Sequence, residues 1–110
     1  MQVFVGIWRP TEQWLALSRP ARTAYLSKLS AATRLRLGAK AESIAWAENI
    51  NPESTERTQF FCVWRFPTEA MGEQYLAVLA EHQWNDYFET ESFYGAPKTP
   101  FDVMTKHVML

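Results

Sequence analysis

The chain has 110 residues, of which 47% are hydrophobic and 15% aromatic, with five Trp and seven Phe. That length fits one domain, and the aromatic load exceeds what so small a core usually needs, which points to a pocket or an interface. Twelve acidic residues against eleven basic ones give a formal net charge of -1, without the basic footprint that nucleic-acid binding requires.

In chain order, Gln2 to Trp8 alternate and are rich in β-branched and aromatic types, which predicts a strand. Thr11 caps a short helical turn over Glu12 to Leu17, and Ser18 with Pro20 opens a longer helix that runs to Leu37, where Gly38 stops it. On that helix Tyr25, Leu26, Leu29, Ala32 and Leu37 form the apolar stripe. Its basic residues Arg19, Arg22, Lys28, Arg34 and Arg36, followed by Lys40, have no acidic residue among them; they read first as a solvated face and second as a docking or anion-binding surface.

Ala41 to Glu48 follows as a second strand and Asn49 to Arg57 as a loop, and Thr58 to Phe66 is a third strand, nearly continuous in apolar residues. Pro67 and Thr68 open a second helix with Met71, Tyr75, Val78, Leu79 and His82 on its buried stripe, ending near Gln83. Asn85 to Tyr94 reads as a fourth strand, with Asp86 to Glu89 able to continue as a helical turn. The core is thus expected over 1–94, with a tail over 95–110 that ends in a short extended piece, His107 to Leu110, and docks on something apolar.

The most specific feature is an internal echo. Val5-Gly6-Ile7-Trp8-Arg9-Pro10-Thr11-Glu12 returns as Phe61-Cys62-Val63-Trp64-Arg65-Phe66-Pro67-Thr68-Glu69, with one inserted Phe. Each half is therefore a strand leaving through Trp-Arg into a capped helix, followed by a second strand. Two such units give an α+β domain of βαββαβ order, with strands 1 and 3 central and both helices on one face. Alternation leaves neither side of strands 1 and 3 polar enough to face water, so a second copy is expected to cover the bare face as a homodimer.

The Trp-Arg strand exits, Phe60 to Phe66 running into Pro67-Thr68-Glu69, and Trp84-Asn85-Asp86-Tyr87-Phe88-Glu89 resemble the dimeric α/β-barrel superfamily, closest to one of its small uncharacterised families. The resemblance spans residues 1 to 94. It implies a ferredoxin-like protomer with an antiparallel four-stranded sheet that joins its twin's sheet into an α/β barrel, with a cavity beside each sheet. Relatives with known roles include cofactor-independent monooxygenases, polyketide cyclases, muconolactone isomerases, haem-degrading enzymes and chlorite dismutases, among which fold alone does not choose.

Candidate chemistry is sparse. Two His and one Cys, far apart, give no metal-ligand spacing, and no cofactor motif is present, so neither metal nor cofactor is expected. Cys62 lies in an apolar strand as an inert thiol; as the lone cysteine it allows no intrachain disulfide and suits a reducing, cytoplasmic setting. The N-terminus has no signal-peptide pattern, and no apolar run approaches the ~20 residues that span a bilayer, so no membrane partner is expected.

Arg65 near the end of an apolar strand needs a carboxylate partner, with Glu48, Glu89 and Glu91 as candidates, or a bound anion. In an enzyme, Arg65 would stabilise negative charge on an oxygen while Glu48, Glu89 or His82 moves a proton. His107 in the tail is a weaker candidate for closing a cavity. Trp8, Trp46 and Trp64, if they share the uncovered face, line a site for a flat apolar ligand, with Tyr87 nearby and Glu42 and Glu48 flanking Trp46. Two functions follow: a small-molecule-binding protein, in its enzymatic form a cofactor-independent monooxygenase, cyclase or isomerase, or a non-catalytic interaction or sensing module whose aromatic face is only dimer interface.

Overall fold

A computed structural model describes residues 1–53 and 59–110. The sheet contains β1 (Gln2–Pro10), β2 (Glu42–Glu48), β3 (Phe60–Phe66) and β4 (Phe88–Gly95) in the order β2-β3-β1-β4, every neighbouring pair antiparallel. Around it run α1 (Glu12–Ala16), α2 (Arg19–Leu37), α3 (Glu69–Glu81), α4 (Trp84–Tyr87) and α5 (Pro100–Val108). Central β1 and β3 and outer β2 and β4 are the α+β arrangement expected from the tandem units. Thr58, expected in the third strand, and the end of the preceding loop fall outside the described residues.

The sequence echo has a structural counterpart at both strand exits. Thr11 and Thr68 each cap the following helix with the side-chain oxygen, accepting from the backbone N–H of Trp14 and Met71 three residues on. Thr11 also ties the two halves together, its hydroxyl donating to Asp86 O at 2.9 Å and its N–H to Tyr87 O at 2.8 Å. Ser18 caps α2, and Gly38 ends it with φ 72, a backbone state open to glycine at little cost. Gln83, at φ 52, breaks α3 from α4, so the helical turn expected near Asp86 is a separate element that leads directly into β4.

Two apolar clusters form the core. One joins Trp14, Leu29, Val78, Trp84 and Phe88; the other joins Phe4, Leu37, Phe66 and Tyr75. Among the described residues, no helix covers the opposite sheet face. There Val3, Val5 and Ile7 of β1 stand beside Phe61 and Val63 of β3 and Phe93 of β4, all at least partly exposed.

The tail departs from the sequence reading. Instead of an extended end, α5 is a helix with Thr99 as N-cap, Pro100 at its start, Asp102 in the first turn and Lys106 and His107 in the last. Those are helix-start and helix-end signals, and two prolines close together mask them. Phe101, Met104 and Val108 line one side of α5, yet no residue of the helix is buried. The radius of gyration is 15.9 Å, against about 13 Å for a close-packed chain of this length.

Candidate functional site

Strand alternation builds the floor of a cavity on the helix-covered side. The β1–β3 register sets Phe4 opposite Trp64, Gly6 opposite Cys62 and Trp8 opposite Phe60, and all six line the cavity. Above them α2 lies along α3 and makes few close approaches to the sheet. The gap so left has a volume of about 700 Å³ and mostly apolar walls. Gly6 keeps its floor low, because even a Cβ there would meet the Cys62 Sγ and a Phe4 ring carbon at 3.4 Å.

Trp46 reaches this cavity because of an irregularity in β2. The register with β3 shifts between Ser43 and Ala45, so Ser43 and Trp46 both lie on the helix side while Glu42 moves to the open face. Trp46 is 53% exposed, donates its indole N–H to Ser43 Oγ at 2.7 Å, and stands edge-on to Trp8 (5.4 Å) and Trp64 (6.2 Å). The three tryptophans therefore share one wall, on the covered rather than the bare face. This corrects the simple alternation in which Glu42 and Glu48 flank Trp46: the bulge sends Glu42 to the other side, and Glu48 ends the strand outside the cavity lining.

Few polar groups enter. Deep inside, Cys62 and Tyr75 are buried, and burial is the main force that raises both pKa values, so thiol and phenol are neutral at physiological pH. The nearby Trp64 Nε1 is buried without a partner at full hydrogen-bond geometry among the described residues, and its N–H lies near enough to Cys62 and Tyr75 to offset part of the rise in both. Thr33 is satisfied by the Leu29 carbonyl at 2.8 Å, and Thr90 accepts from Trp84 Nε1 at 2.7 Å. Ser30 and Arg34 of α2 and Ser43 of β2 are exposed lining residues and mark the mouth.

The expected reactive residues are not brought together. Arg65 lies on the open face and donates to Glu42 at 3.1 Å, so its carboxylate partner is none of the three weighed from sequence. Glu89 receives Arg9 Nε at 2.6 Å, and Arg9 Nη2 reaches the same carboxylate. His82 caps α3, its Nδ1 3.0 Å from Val78 O, while its own carbonyl accepts from the Tyr25 hydroxyl at 2.7 Å. Tyr87 packs behind the cavity against Trp14 and Tyr25, at 5.6 and 4.9 Å between ring centroids. His107 sits exposed on α5.

Sequence reasoning missed Arg34, Ser30 and Ser43 as cavity residues. The spacing of Ser30 and Arg34, one turn apart on α2 and next to the stripe residues Leu26 and Leu29, was the available signal. Among the described residues, no three His, Cys, Asp or Glu side chains cluster as a metal site would require, and no helix is long and apolar enough to cross a membrane.

A four-stranded antiparallel sheet in this order, with helices packed on one face and a cavity beneath them, defines a ferredoxin-like α+β protein. The chain belongs to the family of unknown function DUF6616, whose profile matches residues 1–110. No curated protein matches the sequence.

Solved structures share the fold at low identity. The Agrobacterium tumefaciens protein Atu4242 is 16% identical, with 91% of this chain and 96% of that chain covered at a TM-score of 0.53. A dimeric ferredoxin-like protein of unknown function from Thermobifida fusca is 10% identical over 87% and 90%, with a TM-score of 0.51. SnoaB, a cofactor-independent oxygenase from Streptomyces nogalater, is 11% identical over 89% and 93%, also at 0.51. The likeness to the dimeric α/β-barrel group and to an uncharacterised family within it, inferred from the strand exits, is borne out at the level of fold.

Proposed function

We propose that this protein is a homodimer that binds a flat, largely apolar small molecule in the cavity of each protomer. The observation that carries the reading is the tryptophan wall: Trp8, Trp46 and Trp64 border about 700 Å³ of space, a volume suited to an organic ligand. A core built only for stability closes such space, since an apolar void of this size leaves its lining without contacts. The open sheet face, with Val5 and Val63 at its centre, is a separate surface that a second copy covers, closing two sheets into a barrel. The dimeric Thermobifida fusca neighbour supports that assembly, and the SnoaB neighbour supports a small-molecule role for the fold.

On this reading Arg65, Glu42, Arg9 and Glu89 belong to the face between subunits, and the cavity's own groups bind and orient rather than transfer protons. Tryptophan fluorescence tests it directly. Titration with neutral naphthamide is expected to quench the emission saturably, because any occupant touches at least one of three indoles. A linear, unsaturable response both to this probe and to its carboxylate analogue would overturn the reading.

A further inference from the structure

We infer that the cavity selects a ligand with an anionic group, an aromatic carboxylate, and that Arg34 with Ser30 forms its recognition site at the mouth. The inference rests on the cavity being a ligand site and adds the chemistry of what enters it. Of the described residues that line the cavity, Arg34 is the one that carries a charge. Two other arginines of α2 are engaged elsewhere. Arg22 donates to the carbonyls of Trp14 at 3.2 Å and Leu15 at 2.9 Å, and Arg36 donates to Gln74 at 3.1 Å and Glu81 at 2.7 Å.

Arg34 has no ion pair or side-chain hydrogen bond among the described residues, and neither does the Ser30 hydroxyl. They stand four residues apart, which places both on the same side of α2, where both line the mouth. Ser43 of β2 lines the same cavity; its oxygen already accepts from Trp46, which leaves its own proton free to donate.

A guanidinium is a planar fork that matches a carboxylate with two parallel hydrogen bonds, and a neighbouring hydroxyl adds a third donor. The segment Arg19–Leu37 has no acidic residue to neutralise it, so its positive potential falls on the mouth undiminished by its own helix. Below the mouth the walls are aromatic, and the buried Tyr75 and Cys62 are kept neutral. A ligand that fits both ends therefore has an apolar ring body inward and its carboxylate outward at Arg34.

The test compares naphthoate with the isosteric, uncharged naphthamide by fluorescence titration of the full chain, and of the Arg34→Gln variant. Naphthoate is expected to bind the unmodified protein about tenfold more tightly than the amide, as a charge-assisted hydrogen-bonded pair gives. Arg34→Gln is expected to erase that preference and leave amide affinity within about twofold, because the apolar contacts are untouched. Equal binding of the two probes, or a carboxylate preference that survives Arg34→Gln, would overturn the assignment while the cavity stands. Failure of both probes would overturn the cavity reading and this inference with it.

Discussion

The indole N–H of Trp46 is held by Ser43 Oγ at 2.7 Å across the bulge of β2, and this contact fixes the outer wall of the cavity. A half-exposed Trp on an edge strand otherwise has several rotamers open to it. Ser43→Ala is expected to leave the fold within about 1 kcal/mol of its original stability. Naphthamide affinity should fall about threefold from the loss of preorganisation, read as a shifted fluorescence titration. Unchanged affinity would mean that Trp46 is positioned by its ring contacts alone.

Gly6 offers a way to fill the cavity without touching its walls. A methyl at this position reaches only ordinary contact distance, whereas a longer side chain must extend into the open space. Gly6→Ala should bind naphthamide nearly as well as the original, and Gly6→Ile at least about tenfold more weakly. Both should keep the original circular dichroism spectrum, which separates blockage from unfolding.

Val5 stands opposite Val63 on one side and Phe93 on the other, at the middle of the helix-free face. Val5→Glu places a carboxylate where two sheets would meet, and burying it unpaired costs several kcal/mol. Sedimentation velocity is expected to find a dimer for the unmodified chain and a folded monomer for the variant. A monomeric unmodified chain would remove the barrel from the proposal.

Since no residue of α5 is buried within the protomer, removing residues 96–110 should leave the melting temperature of the body almost unchanged. In a dimer its apolar side, Phe101, Met104 and Val108, has a partner surface available, so the truncated chain should dissociate at higher concentration than the full chain. Analytical ultracentrifugation over a dilution series measures both.

Two buried acids, Cys62 and Tyr75, and the half-buried Tyr25 weigh on stability at alkaline pH. Burial raises Tyr25 to about 12, and raises Tyr75 and Cys62 above their ordinary values. The unfolded chain therefore releases these protons first. Their contribution to stability is complete below about pH 8.5, the ordinary cysteine value; the Tyr25 share is lost as pH rises through its value near 12, and the Tyr75 share at higher pH still. Urea midpoints should decline steadily across that window. Tyr25→Phe should make the decline shallower, and should cost about 1 kcal/mol at neutral pH from the lost bond to His82 O.

Much of the scaffold was legible because its signals are local. Thr11, Ser18, Thr68 and Gly38 act where the sequence places them, since a cap depends only on the few residues beside it. The echo of Trp-Arg at two strand exits then orders the sheet. What stayed hidden depends on parity. Apolar residues occupy both faces of β1 and β3, so nothing in Trp8 or Trp64 tells which face the helices cover, and the bulge at Ser43 reverses the phase of Glu42 relative to Trp46. The apolar residues around Arg65 in the sequence belong to both faces, and its side chain lies with Glu42 on the outer one. Arg34 was hidden by a run of like charges in which only side-chain partners distinguish one member from the next.

The central strand has a consequence for how this family can vary. Val3, Val5 and Ile7 serve one surface of the sheet and Phe4, Gly6 and Trp8 the other, so a one-residue slide of this strand against its neighbours would exchange the two sets along its whole length. β2 carries its irregularity already, at the rim, where a frame slip moves one glutamate and spares the rest. Indels are therefore expected to accumulate at the margin of the sheet and in its connections, while the middle strand changes only by substitution.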